Sequence, residues 1–193
     1  MTWKSRLMAF FPASDVLLTV IALIEFAQHP TLGRFLCIPA SLYAYPLLTF
    51  RIHNFFFPIK EGKQFLDLEE YSSWWGGHQI QLIYIAFPWL EALLRLIPGT
   101  FSFWLRLWGS RVGRGVYWTP LVEIDDRSLV NIGDHVVFGH KVEVIGHVIG
   151  PKKGGLSLYS KTVKIGNKAF VGAGSRLAPG AHIDDEAFLP VLT

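Results

Sequence analysis

Seven histidines and a single cysteine are the side chains of this 193-residue chain best suited to chemistry near neutral pH. A neutral imidazole can take the proton from a hydroxyl as its oxygen attacks. His135, His140 and His147 crowd into one stretch, and His147, preceded by Gly146, stands just before a polar, glycine-rich break that runs Gly150-Pro-Lys-Lys-Gly-Gly-Leu-Ser-Leu-Tyr-Ser-Lys-Thr-Val-Lys164. His29, His53, His78 and His182 carry no assigned role. Cys37 sits alone in an apolar run, which excludes an internal disulfide and a cysteine-rich metal cluster.

The elements that must hold these histidines follow from a period of six. Apolar residues recur at Ile132, Phe138 and Val144, with Val136, Val142 and Val148 four places after each. After the break the frame returns at Ile165, Val171, Leu177, Ile183 and Leu189, with Ala169, Ser175, Ala181, Ala187 and Thr193 as companions. Upstream it fits Val112, Trp118 and Ile124 with Val116, Val122 and Ser128. An amphipathic helix has no such period. The repeat therefore predicts a mainly β fold, a left-handed parallel β-helix of three to four coils. Gly133, Asp134, Asn167, Gly172, Gly174 and Gly180 are expected at its turns, where positive φ is tolerated. The break is expected to be an inserted functional loop. The sequence stops at Thr193 inside a repeat, so the upper end is expected to be covered by a neighbour, or the sequence to be truncated.

The motifs Ile132-Gly-Asp-His-Val-Val, Val144-Ile-Gly-His147 and Ile165-Gly-Asn-Lys-Ala-Phe-Val-Gly-Ala-Gly-Ser resemble the hexapeptide acyltransferases, which include the galactoside, serine and xenobiotic acetyltransferases. The resemblance runs from Arg111 to the end of the chain. It implies His147 as the catalytic base, acetyl-CoA as donor, and a homotrimer with sites between subunits. It further implies that Phe170, Ala173 and Gly174 serve the donor, Phe170 in place of an aromatic beside the catalytic histidine and Ala173 and Gly174 where the donor's thioester arm passes, and that Asp126 binds the acceptor. The asparagine that helps hold a sugar in the galactoside enzyme is Thr119 here, which argues against a galactoside acceptor. The spacing of His135, His140 and His147 is compared with the zinc site of the β-helical carbonic anhydrases; neither register fits, and no metal is expected.

Before about residue 110 the composition changes, with long apolar runs and six of the seven tryptophans. Leu7 to Ala27 is long enough to cross a ~30 Å hydrocarbon layer and ends without a small-x-small cleavage site, as an uncleaved signal anchor does. Asp15 and Glu25 within it are expected to face protein or water. Phe35 to Phe50 forms a second run, and the pair spans the bilayer or dips into it as a hairpin. Lys4, Arg6, Arg51, Lys60 and Lys63 place its flanks on the cytoplasmic side. Glu61 to Tyr71, with Lys63, Asp67, Glu69 and Glu70, reads as a solvated connector. Glu91 and Arg95 are spaced to pair across one helical turn. Phe101, Trp104, Leu105 and Trp108 lie opposite Ser102, Arg106 and Ser110, as in a helix at the headgroup level or a core helix packed on the next domain.

The expected organisation is a membrane-anchoring hydrophobic helical hairpin over 1–60, a connector with interfacial amphipathic helices over 61–110, and a β-helix acyltransferase domain over 111–193. A net charge of +3 without basic clusters excludes a nucleic-acid binder. The expected activity is transfer of acetyl from acetyl-CoA to a hydroxyl of a lipid-linked or glycolipid acceptor at the cytoplasmic face of the cell membrane. The alternative is a non-catalytic β-helix serving as an assembly or scaffold module.

Overall fold

The computed structural model describes residues 2–66 and 69–192; Asp67 of the connector and Thr193 of the last repeat lie outside them. Two compact units emerge, one of Met1–Lys60 with Asp67–Ile83, the other of Glu61–Leu66 with Tyr84–Thr193.

In the first unit, α1 (Trp3–Ala9) and α2 (Phe11–Gln28) run on from one another, and α3 (Leu32–Pro39) passes through one π-helical turn (Ala40–Ala44) into α4 (Tyr45–Phe56). Thr2 and Thr31 cap α1 and α3 by accepting from the amides of Ser5 and Arg34. The π-turn directly follows Pro39, which cannot donate a helical hydrogen bond. The two arms are joined by polar and aromatic contacts: Phe11 stacks on Tyr45 at 5.1 Å and Thr19 meets Ser41 at 3.0 Å. Trp3–Gln28 (26 residues) and Leu32–Phe56 (25 residues) are each long and apolar enough to cross a membrane. Their apolar side chains point outward, Leu17, Ile21 and Ile24 among them. Asp15 is fully buried and Glu25 pairs with Arg34 at 3.4 Å. The unit also holds most of α5 (Ser73–Ala86), whose Trp75 indole donates to the Ser5 carbonyl, while His53 and Tyr71 meet at 2.6 Å.

In the second unit, β1 (Gly62–Leu66) is followed by α6 (Trp89–Leu94) and α7 (Thr100–Leu107), then by short strands. These are β2 (Arg111–Val112), β3 (Glu123–Ile124), β4 (Val130–Ile132), β5 (Val137–Phe138), β6 (Glu143–Val144), β7 (His147–Lys152), β8 (Gly155–Ser160), β9 (Val163–Ile165), β10 (Phe170–Val171), β11 (Arg176–Leu177), β12 (His182–Ile183) and β13 (Phe188–Leu189). Three parallel sheets have the orders β2-β4-β9-β12, β5-β10-β13 and β3-β6-β11, and the chain visits them in turn. Residues six apart therefore enter different sheets, while repeat-starting residues stack one above another: Val112 on Ile132 on Ile165 on Ile183, and Ile124 on Val144 on Leu177. These residues are buried, as are the companions Val136, Val142, Ala169 and Ser175.

The expectation of a mainly β chain built as a left-handed parallel β-helix is corrected. The chain is mixed α/β, with about 41% helix and 21% strand, and the described strands lie in several small parallel and antiparallel sheets without a closed solenoid. The reason is arithmetical: each repeat contributes only two or three strand residues between turns, whereas the helices before it are long.

Other expectations shift as well. The glycine-rich break is an antiparallel hairpin of β7 and β8, extended by β1 in the order β1-β8-β7, so part of the supposed connector is a strand. Positive φ falls on the fourth residue of the repeats, at His135, Lys141, Gly174 and Gly180 among others, and not at Gly133 or Gly172. Those two glycines instead let stacked turns approach, since a Cβ on Gly133 would meet the Asn167 backbone and one on Gly172 the Pro190 carbonyl. Asp134 and Asn167 act through side-chain acceptors: Asp134 receives the Arg114 amide at 2.6 Å and Asn167 the Asp134 amide at 2.9 Å. The aromatic side of α7 is buried inside the unit, with Phe101 edge-on to Trp118 at 4.9 Å and Ser102 accepting from the Trp118 indole. In the division into units the 61–110 segment is shared, with β1, α6 and α7 in the unit of the strands and 67–83 in that of the hydrophobic helices.

Candidate active site

Parallel register between β3 and β6 places Glu123 beside Glu143 and Ile124 beside Val144. Two residues further on, Asp126 therefore lies level with Gly146. A Cβ on Gly146 would meet the Asp126 side chain at 2.8 to 2.9 Å, so only glycine there lets the two turns close up. The next residue is His147, the first of β7, whose Nδ1 lies 2.7 Å from Oδ2 of Asp126. An ionised carboxylate only accepts, so in this pairing Nδ1 donates and Nε2 is the basic nitrogen. His147 is paired across the hairpin with Ser160, which is fully buried.

The electrostatics strengthen the imidazole's hold on a proton. Burial works to lower the His147 pKa, but the hydrogen bond to Asp126 and the charges of Asp126 and Asp125 outweigh it and hold the ring above its ordinary value. Asp125 is raised, first by burial and then by the neighbouring Asp126. The arrangement can accept a proton at Nε2, stabilise the resulting imidazolium through Asp126, and return the proton afterwards.

Of the residues singled out from sequence, the structure brings together His147 and Asp126, with Asp126 orienting the imidazole. Thr119 donates to the Gly139 carbonyl at 2.9 Å. Phe170 lies in the β5-β10-β13 sheet and stacks on Phe188 at 5.3 Å, while Ala173 and Gly174 form the turn after β10, where Gly174 donates to the His140 carbonyl. Within one copy these three belong to a different sheet and turn from His147. His135 and His140 occupy the turns after β4 and β5.

Sequence reading missed the buried support beneath the site. The Glu91 carboxylate receives Nε of Arg127 at 2.6 Å, Nη2 at 3.0 Å and the Trp104 indole at 2.9 Å. Arg95, the expected partner of Glu91, instead donates to the carbonyls of Pro120 and Val122. The available signal was an acidic residue in an apolar helix and an arginine next to the acidic pair Asp125-Asp126. No protein-family model matches the chain, and no curated protein matches it.

Proposed function

We propose that the protein is a membrane-associated O-acyltransferase that moves acetyl from acetyl-CoA to a hydroxyl of a lipid-linked or glycolipid acceptor. The observation that carries this reading is the Asp126–His147 pair at 2.7 Å, on the residue that the hexapeptide-acyltransferase motifs single out. The acceptor oxygen attacks the thioester carbonyl as Nε2 of His147 takes its proton. The tetrahedral adduct then expels the coenzyme A thiolate, which receives that proton from the imidazolium, leaving an ester and free coenzyme A.

The two apolar helical stretches support a membrane location, and Lys4, Arg6, Arg51, Lys60 and Lys63 around them favour its cytoplasmic face. A homotrimer fits the same reading. In it Phe170, Ala173 and Gly174 of one copy would serve a donor groove shared with a neighbour, which accounts for their separation from His147 within one chain. The exposed Phe170–Phe188 stack is apolar surface such a neighbour would cover.

The test is transfer of radiolabelled acetyl from acetyl-CoA to total membrane lipids by the purified protein, with coenzyme A binding measured alongside. Transfer lost in His147→Ala is the expected result. Absence of both transfer and coenzyme A binding in the unaltered protein overturns the reading.

A further inference from the structure

Apart from His147, the second unit carries a cleft of about 460 Å³ formed by the segment after α6, the start of α7 and the turn after β2. Arg95, Arg106 and Arg114 line it, together with the aromatic side chains Phe101, Tyr117 and Trp118, and no Asp or Glu does. Among the described residues none of the three guanidinium groups has a carboxylate within ion-pair distance. Arg95 and Arg106 are instead fixed by neutral acceptors: Arg95 by the carbonyls of Pro120 and Val122 at 2.7 and 2.6 Å, Arg106 by those of Val112 and Gly113 at 2.8 and 2.7 Å. Carbonyls orient a guanidinium without cancelling its charge. Nε of Arg95 is buried with no partner among the described residues, and the group lies over the Phe101 ring at 3.9 Å. Burial lowers the Arg95 pKa to about 10, which leaves it charged at neutral pH.

We propose that this cleft is a binding site for an amphiphile bearing a phosphate monoester, the phosphate held by Arg95, Arg106 and Arg114 and the apolar part lying along Ile97 and its surroundings. Two guanidinium groups fixed by carbonyls, with Arg114 lining the same cleft and none of the three in an ion pair among the described residues, match the several acceptor oxygens of a phosphate. The volume falls in the range of small-ligand sites. Ile97, 65% exposed, lines the cleft, and Leu96 and Phe103 on the flanking segments are 72% and 56% exposed. A chain with two helices fit to cross a membrane also has anionic lipids at hand.

The experiment uses the full chain in a neutral detergent, with binding read by native mass spectrometry and by tryptophan fluorescence. The probes are dioctanoyl phosphatidic acid, dioctanoyl phosphatidylcholine and inorganic phosphate. Saturable binding of phosphatidic acid is expected, weakened roughly tenfold in Arg114→Gln, as for loss of one charge-assisted contact, and unchanged in Arg111→Gln. Arg114 is the variant of choice because its hydrogen bond to Asp134 is made by the backbone and survives the substitution. Phosphatidic acid binding more tightly than inorganic phosphate assigns the ligand to the membrane; equal affinity supports the phosphate site and assigns it to a soluble ligand. The proposal is overturned if no phosphate probe saturates, if Arg114→Gln binds as the unaltered protein does, or if phosphatidylcholine binds as tightly as phosphatidic acid.

Discussion

His147 and Asp126 meet at 2.7 Å across a boundary in exposure, the imidazole 15% accessible and the carboxylate 1%. The carboxylate is thus held almost wholly within the protein, while the ring it orients is partly exposed. The contact follows from the pairing of Ile124 with Val144, two residues before Asp126 and three before His147.

His147→Ala should lower acetyl transfer by roughly 10² to 10⁴-fold, as for loss of a general base. On the proposed mechanism the imidazole meets the acceptor hydroxyl and not the pantetheine arm, so coenzyme A affinity should hardly change. His135→Ala and His140→Ala should be much milder, since each sits in a different turn. Steady-state kinetics and titration calorimetry on all three variants decide it. Near-normal turnover in His147→Ala with a large loss in His140→Ala would place the base one turn earlier.

Asp126→Asn should shift the pH profile rather than merely lower it. Because the hydrogen bond to Asp126 and the charges of Asp126 and Asp125 outweigh burial and hold the His147 pKa above the ordinary histidine value, the neutral base accumulates only as pH rises through that raised value, and transfer should rise along the same limb. Without the carboxylate this limb should move to lower pH, with a lower plateau because the imidazolium loses its partner. The linked stability term has the opposite trend: the pairing stabilises the fold fully below the ordinary histidine range and loses that contribution as pH rises through the raised value. A pH–rate limb at the same position in both proteins would show that Asp126 does not tune the base.

The period of six was legible because each repeat puts one apolar residue, such as Val144 or Leu177, into a fixed stacking position. Its side-chain partners were less so. Asp126 and His147 are 21 positions apart, and their contact appears only once β3 is known to lie beside β6. The hairpin of β7 and β8 was obscured by its lysines and glycines, whose polarity suits an exposed antiparallel sheet as well as a loop. Glu91 misled because helical spacing offers Arg95, whereas packing of α6 brings Arg127, and no local rule ranks the two.

The full chain should pellet with membranes after cell breakage and resist extraction by alkaline carbonate, yielding only to detergent. Trp3–Gln28 and Leu32–Phe56 are each long and apolar enough to cross a membrane, and their apolar side chains point outward, as a lipid environment favours. Recovery of the chain in the soluble fraction without detergent would contradict a membrane anchor in the first unit.

The Glu91–Arg127 pair makes a prediction about stability. Both side chains are almost fully buried, 4% and 1% accessible. Removing either partner should therefore destabilise the second unit by about 3–5 kcal/mol at neutral pH. Replacing both together, in a Glu91→Gln, Arg127→Met double variant, should cost much less than the two single deficits summed, because neither charge is then left buried without its partner. Unfolding followed by near-ultraviolet circular dichroism on the two single variants and the double variant decides it, and deficits that simply add would show that the pair is not held as a buried charge pair.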